Sequence, residues 1–228
     1  MDKIQIIEKI FLHIVTYSFL LLPLILISSF KNRNKISVLL GIYGIVFFVL
    51  NYYLYDLLPR GYKKAYFLGY TYLEYLVFAI IFWSNIRSIR VRLVIFISSL
   101  AFGLFQVFYF FNSQLKKIDA VPIGIETILI FIFIFLFFYS YFNNNTTEYI
   151  YNNYCFWISV GILIYLGGSF FLNILANNVS NITDYWYLTY IAETIKNILF
   201  SIAIVIISRK SNQISKGSNS NIPYLDLI

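Results

Sequence analysis

The sequence predicts an all-α, polytopic integral membrane protein with seven transmembrane helices, and three observations carry that prediction. First, the chain of 228 residues is 60% hydrophobic and only 12% charged, against about 25% charge in an average soluble domain. Second, its apolar residues gather into runs rather than amphipathic stripes, and the runs approach the ~20 residues needed to cross ~30 Å of hydrocarbon. Third, the loops between the runs are short, so almost nothing is left for a soluble domain. Backbone facing lipid must satisfy its own hydrogen bonds, so every run is expected as a helix.

The runs fall roughly at 8–30, 36–57, 66–84, 93–112, 122–142, 155–176 and 187–208. The first is too long, and too poor in an A-x-A-type exit site, for a cleaved signal peptide. It carries His13, Thr16 and Tyr17 early and Pro23 deep inside. The second carries Asn51 and Tyr55 late. The third, through YTYLEYLVFAIIF, places Glu74 among large apolar residues with no basic neighbour on its own helix. The fourth ends past Gln106 and Tyr109. In the fifth, Glu126 follows Asp119 and Pro122 near the start, where an acid also favours the helix dipole. The sixth carries Tyr165, Ser169 and Asn173, with Gly167 and Gly168 suited to close helix approach. The seventh carries Tyr190, Glu193, Lys196, Asn197 and Ser201 at three- and four-residue spacing, hence on one face. Domain organisation is therefore a bundle over 1–210 and a Ser/Asn-rich flexible tail over 211–228.

The net charge of +7 does not indicate nucleic acid, because the basic residues cluster at run ends, where they orient spans. Lys31, Arg33, Lys35, Arg87, Arg90, Arg92, Arg209, Lys210 and Lys216 fall on one side. Lys3, Lys9, Arg60, Lys63, Lys64, Lys116 and Lys117 fall on the other. That excess, and the compact all-basic first and third loops, favour an outside N-terminus and a cytoplasmic C-terminus. The Ile, Asn, Lys, Phe and Tyr bias points to an AT-rich bacterial genome, and so to the inner membrane. The lone Cys155 has no intrachain partner, and no Cys/His spacing implies a metal. No cofactor is expected.

A weak internal repeat is visible. Ile7-Glu8-Lys9-Ile10 matches Ile125-Glu126-Thr127-Ile128, and Leu73-Glu74-Tyr75-Leu76 matches Ala192-Glu193-Thr194-Ile195. The offsets map runs one to three onto five to seven, with the fourth as connector. In that plan the chain resembles SWEET and PQ-loop-type transporters over its whole length, as architecture. The resemblance implies an N-out 3+1+3 bundle and places Asn197 where such transporters set a substrate-facing asparagine. The chain has no Pro-Gln pair, and only Pro23 lies deep in a span.

A charge in hydrocarbon costs roughly 2.5–3.5 kcal/mol even on the lenient insertion scale, so Glu74, Glu126, Glu193 and Lys196 each need a partner or a task. With alternate runs crossing in opposite directions, nearly all polar groups fall in one half of the membrane, the outer half for an N-out chain. The other halves are aliphatic and phenyl. This predicts an outward-opening polar pocket, built from Glu74, Glu193, Lys196, Asn197, Glu126, Tyr190, Asn173, Gln106, Asn51, His13 and Tyr17. Its acids outnumber its bases, which suits a small polar or cationic ligand, or protons. Several members also have plainer uses. Glu193 and Lys196 are spaced for an i,i+3 ion pair, Gln106 and Asn173 for interhelical glue, and His13 for hydrogen-bonded packing.

The first functional expectation is a transporter of a small solute or cation, with proton coupling allowed by the titratable cluster. The second is a ligand sensor or accessory subunit signalling to a separate membrane or cytoplasmic partner. Two others carry less. An intramembrane hydrolase using Glu74 and Glu193 as acid and base lacks any supporting motif, so no catalytic residue is assigned. A retinal protein on Lys196 would want an aspartate four residues earlier and tryptophans mid-span.

Overall fold

The structure is a computed structural model that describes residues 3–29, 34–54, 57–59, 62–112, 120–143, 149–176 and 187–218. Among them there is no strand. The helices are α1 (Lys3–Ser18), α2 (Leu21–Ser28), α3 (Lys35–Val49), α4 (Lys63–Asn85), α5 (Ile89–Asn112), α6 (Ala120–Asn143), α7 (Tyr154–Ala176) and α8 (Tyr187–Ser218). A π-helical turn, Leu50–Leu54, extends α3.

Among the described residues, seven segments are long and apolar enough to cross a membrane: Ile6–Ser28, Lys35–Leu54, Ala65–Asn85, Ile89–Asn112, Val121–Asn143, Tyr154–Leu172 and Tyr187–Lys210. All seven expected runs are present, their ends shifted by a few residues. The chain is thus an all-helical bundle of the multi-pass membrane kind. The first span is two helices, not one. Pro23 has no N–H to give the carbonyl four residues back, so the helix breaks at Phe19–Leu20. The second span begins cleanly, because Asn34 Oδ1 accepts from the Lys35 amide at 2.6 Å and the Asn34 amide donates to Ser37 Oγ at 2.9 Å. That reciprocal cap satisfies donors a helix start otherwise leaves orphaned. The last helix runs on to Ser218, so residues 211–218 of the expected tail are helical. Lys31, Arg33, Tyr55, Arg60, Lys116, Lys117, Asp119 and residues 219–228 lie outside the described residues.

The seventh span organises the packing. α8 pairs most extensively with α7 and also lies against α1, α2 and α3, while α4 packs on α5 and α6. Gly161 allows the α7–α8 approach: a Cβ there would meet the Lys196 carbonyl oxygen at 3.4 Å and Leu199 Cβ at 3.3 Å. Gly168 meets Ala192 Cβ at 3.4 Å, so this glycine serves the close approach expected of it. The core is phenyl-rich, with Phe19, Phe47, Phe78, Phe82 and Phe200 fully buried. Span four is the most peripheral, with Ile95, Phe102 and Gln106 as its buried residues.

Candidate functional site

Lys196 is completely buried and its ammonium has three hydrogens to place. It donates to Tyr43 Oη at 2.7 Å, to Glu74 Oε1 at 2.9 Å and to Glu193 Oε1 at 3.4 Å. The surrounding phenols complete the circuit. Tyr43 Oη donates to Glu74 Oε1 at 2.8 Å, Tyr165 Oη to Glu74 Oε2 at 2.9 Å, and Tyr70 Oη to Glu193 Oε1 at 3.2 Å. Glu74 therefore accepts three charge-assisted bonds on two oxygens, arriving from α3, α7 and α8. The ammonium also lies 3.7 Å from the Tyr165 ring centroid, with the rings of Tyr43, Phe19 and Phe78 at 5.4, 5.6 and 5.9 Å. Such contacts stabilise a cation by about 2 kcal/mol or more when it is desolvated.

The network sits near the middle of the membrane rather than in its outer half. Glu74 is the tenth of the 21 residues of its span and Lys196 the tenth of 24. At 1.5 Å per residue that is roughly 15 Å, halfway across a ~30 Å hydrocarbon core. Glu193 and Glu126 are shallower, seventh and sixth in their spans. Because α4, α6 and α8 are odd-numbered spans, these shallower carboxyls lie toward the same membrane face. The expected open vestibule is instead a packed interior. The Glu74 side chain is 2% exposed and Glu193 12%, because four phenol and phenyl rings fill the space that water would need.

The remaining expected site residues divide. Glu126 is buried on α6, within electrostatic reach of Glu74 and Lys196, and its Oε1 has no hydrogen-bond partner among the described residues. Gln106, on the neighbouring α5, is buried at a similar level, and its Nε2 is likewise unpartnered there. Asn197 is buried next to the network but turns to α1, donating to Ser18 Oγ at 2.7 Å. It ties the seventh span to the residue just before the break in the first. Tyr190 is half-buried against the core one turn before Glu193. Asn51 bonds within its own helix, to the Phe47 carbonyl at 2.9 Å, and lies beside Tyr70. It braces the π turn and meets the edge of the network through Tyr70. His13 and Tyr17 do not face the centre. They stack on each other at 6.5 Å on the outer wall, and Tyr17 is 51% exposed. The face of the first span that reaches the core is that of Val15, Ser18, Phe19 and Leu22, at three- and four-residue spacing, and Tyr17 lies off it. Asn173 belongs to α7, but its side chain lies outside the described residues.

Sequence reading misses Tyr43 and Tyr70 altogether and names Tyr165 in the sixth run without a role. With 21 tyrosines in the chain, phenols read as interfacial belts. The usable signal was depth: Tyr43 is the ninth of 20 residues in its span and Tyr165 the twelfth of 19, far from either interface. Phe19 and Phe78 carry no sequence signal as cation partners.

Among the described residues, no group of three His, Cys, Asp or Glu is placed to hold a metal. The arrangement holds a positive charge between two carboxyls, with a third, Glu126, within electrostatic reach. A structural contrast follows. Asn197→Ala removes one interhelical bond whose partner, Ser18 Oγ, still donates to the Val15 carbonyl at 2.7 Å. The expected cost is about 1 kcal/mol or less, read as a melting shift of a few degrees with the Lys196 network intact. A collapse of the fold would show that Asn197 belongs to the network itself.

No family model matches the chain, and no curated protein and no solved structure matches it.

Proposed function

We propose that this multi-pass protein binds a small cation or cationic solute at the Glu74–Lys196–Glu193 site and carries it across the membrane with protons as partners. The observation that carries the reading is a buried excess of carboxyl over ammonium groups, held halfway through the bundle by side chains from four helices. Ionisable groups at such depth are costly and mark ion and substrate paths. With Glu126 nearby, three carboxyls share one lysine, and a proton or an arriving cation balances the remainder. Lys196 then acts as the internal occupant of the acceptor site in the unloaded protein. The resemblance to 3+1+3 transporters agrees with this reading, as does an N-out chain in a bacterial cytoplasmic membrane.

The test is flux. The purified protein in proteoliposomes containing a pH-sensitive dye is expected to move protons on addition of small alkylammonium salts or monovalent cations. Glu74→Gln is expected to abolish that movement while the protein still folds and inserts. Flux unchanged in Glu74→Gln would sink the proposal.

One observation favours a second reading, that of a sensor passing a helix shift to a separate partner. The network is closed on itself, and Asn197 couples α8 to the break in the first span. Ligand binding with no flux in the same vesicles would select it.

A further inference from the structure

We infer a binding groove for an anionic phospholipid between α4 and α5, separate from the charged network. The groove has a volume of about 270 Å³ and is lined by residues including Tyr72, Leu76, Ile80, Trp83, Ile95 and Ser99. Its lining runs along α4 from Trp83 to Tyr72, eleven residues, or roughly 16 Å at the helical rise. That is about the depth of one leaflet of a ~30 Å hydrocarbon core. The length and apolar character of the groove suit one acyl chain. It opens sideways, because α5 is the span with the least of its surface buried and Ile80, Phe96 and Leu100 on the groove's walls are exposed.

The mouth supplies the headgroup chemistry. Trp83 is the nineteenth of 21 residues in its span, at interfacial depth, and the Arg92 guanidinium lies 5.2 Å from its ring centroid. Arg92 is held there by donating from Nε to the Ile86 carbonyl at 2.6 Å. Arg87, on the short connection, and Arg90, in the first turn of α5, are both exposed. From residue 75 to residue 118 the sequence has no Asp or Glu, so the one acid on the two adjoining helices is Glu74, far below at mid-membrane. A basic cluster at the interfacial end of an interhelical groove is the arrangement that holds anionic lipid headgroups. The occupant is thus a lipid, its chain in the groove and its phosphate at the arginines. A soluble phosphate would have no use for the apolar trough.

The test uses Trp83 as a reporter. A Trp157→Phe, Trp186→Phe protein leaves it the sole tryptophan. It is reconstituted with brominated phosphatidylglycerol or brominated phosphatidylcholine, each normalised to the same lipid without bromine. The relative quenching constant is expected to favour the anionic lipid by about fivefold or more. Arg87→Gln, Arg90→Gln, Arg92→Gln together should bring the ratio close to one. Ser99→Leu, which fills the trough but keeps the arginines, should also lower it. Equal quenching by the two lipids overturns the inference. So does a preference that survives either the arginine changes or the filled groove, the latter pointing to surface attraction alone. Arg87→Gln with Arg90→Gln, both exposed, gives a partial loss even if the triple variant folds poorly.

Discussion

Lys196→Met is expected to be the most damaging single substitution in the bundle. It removes the ammonium from between Glu74 and Glu193 and leaves two carboxyls, with Glu126 in reach, inside a cage of rings. Breaking a buried pair from one side costs about 3–5 kcal/mol, because the partner is stranded. For a chain of this size that corresponds to a melting temperature lower by roughly 10 °C in detergent. The companion variant is the informative one. Lys196→Met with Glu74→Gln replaces the pair by groups of similar shape and no charge. The amide introduced by Glu74→Gln keeps one carbonyl oxygen to accept from one of the two hydroxyls, Tyr43 or Tyr165, and the other hydroxyl can turn to accept from its NH2, so the double variant should recover most of the loss, with a coupling of about 2 kcal/mol or more. Additive losses would show that Lys196 acts by filling space. Recovery of stability without recovery of flux would separate the role of the pair in folding from its role in carriage.

How much of this was legible in the sequence depended on the kind of signal. The spans were legible because burial in lipid demands length and apolarity, which composition reports directly. Glu74, Glu193 and Lys196 stood out for the same reason, since a charge among LEYLVFAIIF or TIKNILF needs a partner or a task. Their mutual pairing was not legible. Sequence spacing offered Glu193 as the partner of Lys196 within one helix, and that contact exists at 3.4 Å. The shorter bond goes instead to Glu74, 122 residues away, because α8 sits at the centre of the bundle and projects Lys196 toward α4. His13 and Tyr17 were misplaced for a related reason. Residues at i and i+4 share a face, but which face meets the core is set by the packing of Val15, Ser18, Phe19 and Leu22 against the bundle, which spacing alone does not reveal. Phenols escaped notice because a tyrosine costs little wherever it lies, so its position carries meaning only once depth is known.

The break in the first span makes Gly44→Val the second large expected effect. The Phe19 carbonyl, deprived of the Pro23 N–H, accepts from the Leu22 amide at a long 3.4 Å. It is pressed against α3. A Cβ on Gly44 would stand 2.5 Å from that oxygen, 2.9 Å from Pro23 Cδ and 3.0 Å from Leu22 Cβ. Two of those contacts belong to backbone or to the proline ring, so no side-chain rotation relieves them. The kinked segment must move outward as a unit, drawing the Phe19 ring off Lys196 and Tyr43 and loosening the Ser18–Asn197 bond. Overpacking of this kind costs about 1–3 kcal/mol or more, and here it also opens one wall of the cation cage. Gly41→Ala is the matched control on the same helix. The atoms its Cβ would meet belong to the Leu26 side chain, which can turn aside, so it should melt within a degree or two of the parent. If the two glycine variants lose stability equally, the first span is not held by its break. If Gly44→Val alone loses both stability and cation-dependent flux, the bend at Phe19 is part of what keeps Lys196 in place.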